Sequence, residues 1–267
     1  MRMDILTLTT DFGYSGEAVG VMKGVIYKIN PNVKILDICH TVNSYDIQEG
    51  AWIMFISLPY MPKAVHVGVV DPTVGSEREA IIIETKRGDL LVGPNNGLLV
   101  PAADKLGGIS RVIEIKNEKY MVKPVSHCFH GRDIFAPTGA WLTRGVDPSE
   151  FGTKLDLSRL VHLDFKVKKE RNYIEGKVVR IDKYGNVYTN IPTADLTESG
   201  FTVGSTLNIM FDENTVSLPL GRTFSDVSIG HMLALDDSFG YLSISVNRGS
   251  AAERLKIGRG TKVRVKI

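Results

Sequence analysis

Ile5-Leu6-Thr7-Leu8-Thr9-Thr10-Asp11-Phe12-Gly13 is the stretch on which the fold turns. Six residues that favour extended structure run into an acidic residue and a turn glycine, and a helical pattern from about Gly16 to Ile29 follows. That is a βα unit. Outward from it, Val33 to Ile38 and Ala64 to Val70 read as buried strands with a helix, Ile47 to Ser57, between them, giving the order βαβαβ. Crossover connections of this kind favour parallel strands, so the first part of the chain is expected to be an α/β domain with a largely parallel central sheet.

Further on, Ala80 to Glu84 and Leu90 to Val92 resemble paired strands turned by Arg87-Gly88-Asp89. Gly93-Pro94-Asn95-Asn96-Gly97 is the next punctuation, rich in residues that tolerate tight turns. Pro137 opens a helix predicted over Thr138 to Arg144, with Gly145 as its stop. After the charged run Lys166-Val167-Lys168-Lys169-Glu170-Arg171 helical periodicity gives way to short strands: Tyr173 to Asp182, Val187 to Ile191, Thr206 to Phe211, Val216 to Leu220, Met232 to Leu235, Tyr241 to Val246 and Thr261 to Ile267. Seven such strands between Gly, Asn and Asp turns predict an all-β C-terminal domain, a small antiparallel barrel or sandwich. The expected domains are therefore residues 1–165 and 172–267.

The 32 basic and 30 acidic residues nearly cancel, which removes the overall electrostatic footprint of a nucleic-acid binder and leaves small molecules as the expected partners. Cys39 and Cys128 are far apart and lack metal-ligand or redox spacing, as fits a reducing compartment. The start of the chain lacks the pattern of a signal peptide, and no apolar run approaches the roughly 20 residues that span a bilayer. A cytoplasmic protein without membrane contact is expected.

Six segments carry candidate chemistry. Asp11 stands at the carboxyl end of the first strand, where open α/β sheets gather ligands. Its carboxylate either accepts both hydroxyls of a ribose or caps the following helix. The tripeptide Asp11-Phe12-Gly13 lacks the glycine-rich and catalytic loops that a kinase would need. Asp71-Pro72-Thr73-Val74-Gly75-Ser76-Glu77-Arg78 follows the third strand in the same way, and Arg78 can fold back on Asp71 as a structural clamp or as part of a site.

His127-Cys128-Phe129-His130-Gly131-Arg132-Asp133 packs two histidines, an arginine and an aspartate into seven residues. His127, His130 and Asp133 form a conceivable metal set, although the spacing matches no zinc hydrolase signature. In the second domain, Asp182-Lys183-Tyr184-Gly185-Asn186-Val187-Tyr188-Thr189-Asn190 reads first as a hairpin, with an Asn186 amide able to meet an adenine edge as the functional alternative. Ser238-Phe239-Gly240-Tyr241 and Val246-Asn247-Arg248-Gly249-Ser250 raise the same choice.

Taken in order, Thr10-Asp11-Phe12-Gly13, Asp71 to Arg78, Gly93 to Gly97, Phe129-His130-Gly131-Arg132-Asp133-Ile134-Phe135-Ala136-Pro137, Tyr184 to Asn190 and Asn247-Arg248-Gly249-Ser250-Ala251-Ala252 resemble the S-adenosylmethionine hydrolases, or hydroxide adenosyltransferases. That family is related to the S-adenosylmethionine-dependent fluorinase and chlorinase. The resemblance implies an α/β domain, a C-terminal β-barrel, and a homotrimer with ligand sites between neighbouring subunits. It implies that Asp71, Arg78 and His130 activate water, that Asp11 holds the ribose hydroxyls, and that Asn186 meets the adenine. Asp71, Asp182, Tyr188, Ser238, Val246 and Asn247 complete the expected substrate contacts, with Asp182 and Ser238 at the methionine end.

The implied reaction is hydrolysis of S-adenosylmethionine to adenosine and methionine with no metal or other cofactor, since the sulfonium is already a leaving group. A halide-using transferase and a nucleoside-binding protein without turnover are the alternatives. The halogenating relatives depart from the Phe-His-Gly-Arg-Asp pattern, whereas this chain keeps His130, and the compact segment from Pro72 to Gly93 leaves no room for a fluorinase-type insertion. His127 is a departure, standing where a small polar residue is expected.

Overall fold

A computed structural model of the protein describes residues 3–212 and 214–267, and the chain divides after Asp164 into two compact units. In the first, β1 (Ile5–Thr10), α1 (Ala18–Ile29), β2 (Lys34–Cys39), α2 (Ile47–Ser57) and β3 (Val65–Val69) supply the expected βαβαβ run. Then come β4 (Ala80–Thr85), β5 (Leu90–Pro94), α3 (Val100–Lys105), β6 (Ile109–Ile115), a π-helical turn (Gly131–Phe135), α4 (Ala136–Thr143) and β7 (Gly152–Lys154).

These seven strands form one sheet in the order β2-β1-β3-β5-β4-β6-β7. The first four are mutually parallel and the rest antiparallel, so the sheet is mixed rather than largely parallel. The cause is local. The chain reverses between β4 and β5 through a tight turn, in which the Gly88 amide donates to the Thr85 carbonyl at 2.9 Å, and a four-residue connection cannot make a parallel crossover.

Burial follows the pattern of the sequence. Leu6 and Leu8 on β1, Val65 and Val67 on β3, Met22 and Ile26 on α1, and Ala136 and Ala140 on α4 pack into one core. Helix α2 is apolar nearly all round because Trp52, Ile53, Met54 and Ile56 are all buried. Its start is fixed by Asp46, whose carboxylate accepts the Glu49 amide at 2.7 Å, a cap worth about 1 kcal/mol.

In the second unit, β8 (Lys168–Lys169), β9 (Tyr173–Ile181), β10 (Val187–Pro192), α5 (Thr193–Glu198), β11 (Thr206–Phe211), β12 (Asn214–Gly221), β13 (Met232–Asp236), β14 (Tyr241–Val246), α6 (Ala251–Leu255) and β15 (Lys262–Lys266) follow. The pairing order β10-β14-β13-β12-β11-β15-β9 closes when β9 pairs with β10, which makes a seven-stranded barrel. It departs from an antiparallel barrel in one place, since β12 and β13 are parallel, and two short helices interrupt what reads as pure strand. Both helices begin at turns, after Pro192 and at Ser250, and are too short to leave an amphipathic period in the sequence.

Candidate active site

The first site is a product of strand register. β1 and β3 run parallel with Thr10 opposite Val69, so the residues just beyond their carboxyl ends, Asp11 and Asp71, emerge side by side. Because β2 lies on the far side of β1, the chain switches direction across the sheet at this point, the place where open α/β sheets hold ligands. A pocket of about 260 Å³ opens there, lined by Asp11, Phe12, Ser44, Tyr45, Val69, Asp71, Val74, Cys128, Phe129, His130 and Gly131.

Arg78 does fold back on Asp71. Its Nε lies 3.1 and 3.0 Å from the two carboxylate oxygens, and Nη2 makes a further short bond to Oδ2. Nη2 also stands 2.8 Å from Nδ1 of His130. A guanidinium has no acceptor, so Nδ1 must accept, and the ring proton of neutral His130 therefore sits on Nε2. Burial, and then the Arg78 cation, hold His130 below the usual histidine range against the opposing carboxylates of Asp71 and Asp133. The Arg78 and Asp71 side chains are only 9% and 4% exposed, and the guanidinium carbon lies 5.2 Å from the ring centre of buried Phe135. This is a rigid, partly desolvated triad with an orienting cation at its centre.

Two loops make the triad possible. His130 caps the π-helical turn, a device that displaces a side chain from regular helical register. Gly75, at the tip of the Asp71 loop, has φ +80°, and a Cβ there would lie 2.4 Å from the His127 carbonyl oxygen. Only glycine lets the two loops close this tightly. His127 thus meets the site through its backbone, and its imidazole is exposed.

The conceivable metal set is not brought together. Asp133 is fully buried and accepts Arg132 Nε at 2.6 Å, Arg132 Nη2 at 2.8 Å and the Ser126 amide at 2.8 Å. Burial raises its pKa, but these bonds and the Arg132 charge win and hold it below the usual range. Among the described residues no group of three or more His, Cys, Asp or Glu has metal-binding geometry. Asp11, for its part, is not a helix cap. Its Oδ2 accepts the Tyr45 amide at 2.9 Å, and Tyr45 holds a left-handed φ of +68° to donate it.

The barrel carries a second pocket of about 510 Å³, lined by Tyr184, Asn186, Phe224, Val246, Arg248, Gly249 and Ser250. Asp182 organises its rim: Oδ1 accepts the amides of Tyr184 and Asn186 at 2.9 and 3.0 Å, and Oδ2 accepts Asn186 Nδ2 at 2.8 Å and the Tyr188 hydroxyl at 3.2 Å. Burial and the Asp182 charge push the Tyr188 phenol up to about 12, so it stays a donor. Asn186 and Val246 reach this pocket. Asn247 does not line it, because its Nδ2 donates to the Val227 carbonyl at 2.7 Å, and Ser238 sits on an exposed turn away from the lining residues.

Comparison with known proteins places the chain in a family. Residues 6–152 match the SAM hydroxide adenosyltransferase N-terminal domain and residues 176–264 the C-terminal domain. The chain belongs to the SAM hydroxide adenosyltransferase family. One similar relative, named (R)-S-adenosyl-L-methionine hydrolase, from Methanocaldococcus jannaschii, is 38% identical over 96% of this chain and 93% of its own. A crystal structure titled as an uncharacterized conserved protein from Thermotoga maritima is 32% identical, with a TM-score of 0.91 over 98% of this chain and 99% of the other. A fluorinase from Nocardia brasiliensis is 28% identical over 100% of this chain and 98% of its own, but that alignment runs to 295 positions, more than the 267 residues here, and so opens gaps in this chain.

Several lining residues of this adenosyltransferase escape a reading of its sequence. Tyr45, Ser44 and Val74 lie in loops whose approach depends on the order β2-β1-β3, which no local pattern encodes. Phe224 and Arg248 reach the barrel pocket from segments 24 residues apart, joined only by barrel closure. The one local signal was Gly249-Ser250, a turn and cap pair: Ser250 Oγ accepts the Glu253 amide at 3.1 Å and opens α6.

Proposed function

We propose that this protein hydrolyses S-adenosyl-L-methionine to adenosine and L-methionine, with Asp71, Arg78 and His130 acting on the water and the (R)-sulfonium epimer as the form taken. The observation that carries the reading is the buried Asp71–Arg78–His130 triad at the β1/β3 switch point, in a chain whose relatives are named for this activity. The sulfonium leaves as a neutral thioether, so the chemical difficulty lies in the nucleophile. Water must sit about 3–3.5 Å from the ribose 5′-carbon, in line with the sulfur and out of bulk solvent.

With Nδ1 committed to Arg78, His130 offers Nε2–H as a donor and is poorly placed to act as a base. The proton acceptor is then Asp71. Water attacks the 5′-carbon, the carbon–sulfur bond breaks with its electron pair going to sulfur, and the protonated 5′-hydroxyl gives its proton to the Asp71 carboxylate. His130 orients the water by donating to a lone pair, and Arg78 keeps both partners in place. Asp11, already fixed by the Tyr45 amide, presents its other oxygen to the ribose diol.

In this reading Asn186, Tyr188, Val246 and Asn247 form the adenine side, Asn247 acting through the loop it braces at Val227. Asp182 and Ser238 serve the methionine end, the ammonium displacing the Tyr188 hydroxyl, which makes the longest of the four Asp182 bonds. The two groups come together in a homotrimer, with sites at subunit interfaces, in the cytoplasm and without metal or other cofactor. No described helix is long and apolar enough to cross a membrane.

Incubation with resolved (R)- and (S)-epimers, with and without chloride, tests the proposal. Adenosine and methionine should form in equal amounts, faster from the (R)-epimer and equally well after prolonged EDTA treatment. A halogenated nucleoside, loss of activity on chelation with recovery by one divalent ion, or binding without product would overturn it.

A further inference from the structure

Gly93-Pro94-Asn95-Asn96-Gly97 has no part in the chemistry above, yet it is among the most buried loops of the first unit, with Asn95 only 3% exposed. Its two amides do different work. Asn96 Nδ2 donates to the Val70 carbonyl at 2.8 Å, while its Oδ1 accepts the Leu98 amide at 3.2 Å. Asn95 donates its own backbone amide to the Glu79 carbonyl at 2.9 Å and Nδ2 to Glu79 Oε2 at 3.0 Å. The same Nδ2 lies 2.9 Å from the Arg159 carbonyl, and Oδ1 accepts the Val161 amide at 2.9 Å.

Val70 and Glu79 are the residues immediately before Asp71 and immediately after Arg78. Apart from the Asp71–Arg78 side-chain pair itself, the loop between them is held internally by few bonds: 3.3 Å from Val74 N to the Asp71 carbonyl, 3.1 Å from Ser76 N to the Thr73 carbonyl, 3.3 Å from Thr73 Oγ1 to Asp71 Oδ1 and 3.4 Å from Arg78 N to Ser76 Oγ. Pro72, Thr73, Gly75, Ser76 and Glu77 are exposed. A loop of this kind takes its position from its two stems, and both stems are gripped by adjacent asparagines.

We infer that Asn95 and Asn96 are positioning residues that set the Asp71–Arg78 pair against His130, one on each stem of the loop. The inference rests on the reading that this triad acts on the water. Arg78 sits at the exit stem, so slack at either asparagine translates into displacement of its Nη2 from Nδ1 of His130. A misplacement of about 1 Å in such a set costs on the order of a hundredfold in rate. Ground-state binding of the nucleoside depends on Asp11, which lies on a different loop, and should be spared.

The test compares Asn96→Asp and Asn96→Ser with a control, Asn30→Ser. Asn96→Asp keeps the acceptor for Leu98 but sets an oxygen against the Val70 carbonyl. Asn96→Ser is too short to span, and serves if the first does not fold. Asn30, buried and in a different part of the unit, donates to Thr143 Oγ1 at 2.9 Å, and its replacement is at least as severe a loss of an amide bond as that at half-buried Asn96. Expected for the Asn96 variants are a fall in kcat of about tenfold or more, adenosine Kd within about threefold of wild type, and a His130 pKa, followed by NMR, that rises toward the ordinary value as Arg78 withdraws. Of the groups facing His130, Asp71 and Asp133 pull its pKa up while Arg78 and, as the smallest contribution, His127 push it down, so a rise is the sign that withdrawal of Arg78 gives. An unchanged His130 titration, or a loss of kcat no greater than in Asn30→Ser, overturns the inference. The NMR readout is independent of turnover, so the clamp can fail while the triad reading stands, and the reverse.

Discussion

Replacing Asp71 by asparagine separates the proposed chemistry from binding with almost no change in shape. The carboxamide oxygen can still accept from Arg78 Nε, but the charge that balances the guanidinium is gone, and both side chains lie below 10% exposure. Breaking a buried ion pair by removing one partner costs about 3–5 kcal/mol, and the retained acceptor places this variant near the lower end. At about 2–4 °C per kcal/mol for a unit of this size, the first transition should fall by roughly 6–12 °C.

The effect on rate should be larger than on binding. Loss of a proton acceptor removes about 10²- to 10⁴-fold from kcat, or about 2.7–5.4 kcal/mol of transition-state stabilisation. Adenosine affinity, measured calorimetrically, should stay within about threefold. A second sign is fixed by the site: Asp71 pulls the His130 pKa up while Arg78 pushes it down, so Asp71→Asn should lower it further and Arg78→Ala should raise it. Turnover within threefold of wild type, or a loss of adenosine affinity as large as the loss in kcat, would refute the assignment of Asp71 as base.

Gly75→Ala, which brings a methyl against the His127 carbonyl at a left-handed φ, should cost about 2–4 kcal/mol in chemical denaturation and reduce kcat, whereas a neutral result would show that the two loops need not close. His40, His66 and His130 all titrate below the ordinary histidine value, burial being the main cause in each, against Asp37 at His40 and Asp89 at His66. The unfolded chain therefore binds more protons just below about pH 6.5, so the urea midpoint should be highest above that pH and fall as pH drops through it toward the folded values; a midpoint that rises on acidification contradicts the sign. Mixing inactive Asp71→Ala and Asn186→Ala proteins under subunit exchange should restore part of the activity if sites form between subunits, and no recovery after proven exchange would place each site within one chain.

Legibility differed by physical cause. Strands β1, β11 and β14 and helix α2 have the bounds their sequence patterns predict, because each is an unbroken run, alternating in β11 and largely buried in the others, bounded by turn or capping residues. The mixed sheet was not legible. The reversal at Arg87-Gly88-Asp89 can be read locally, but the order β3-β5-β4 that places it in the sheet cannot, and β6 and β7 join an edge that local sequence does not name. Asp71 and Arg78 could be read as a pair from spacing alone, but His130 enters only through tertiary contact across 52 positions. Ser238 and Asn247 sit in this fold on an exposed turn and in a brace to the Val227 carbonyl, placements that their local sequence does not encode.

Electrostatics supplies the last step, the choice of water over halide. Arg78 is already neutralised by Asp71 within hydrogen-bond contact, so the pair presents no net positive charge to an incoming anion. Asp11 adds a second carboxylate to the same pocket, and among the described residues no lysine or arginine is part of its lining. A halide would have to lose its hydration to enter a cleft whose uncompensated charge is the Asp11 carboxylate, where like charges a few ångströms apart repel more strongly than in water. Neutral water meets no such barrier and gains two directional partners, an acceptor in Asp71 and a donor in His130 Nε2–H. On the proposed roles, the charge of the site would favour water over halide before any contact to the sulfonium is made. Asp71→Asn tests this as well, since it removes the nearer negative charge: if charge is the filter, chloride competition against hydrolysis, absent in the wild type, should become measurable in the variant.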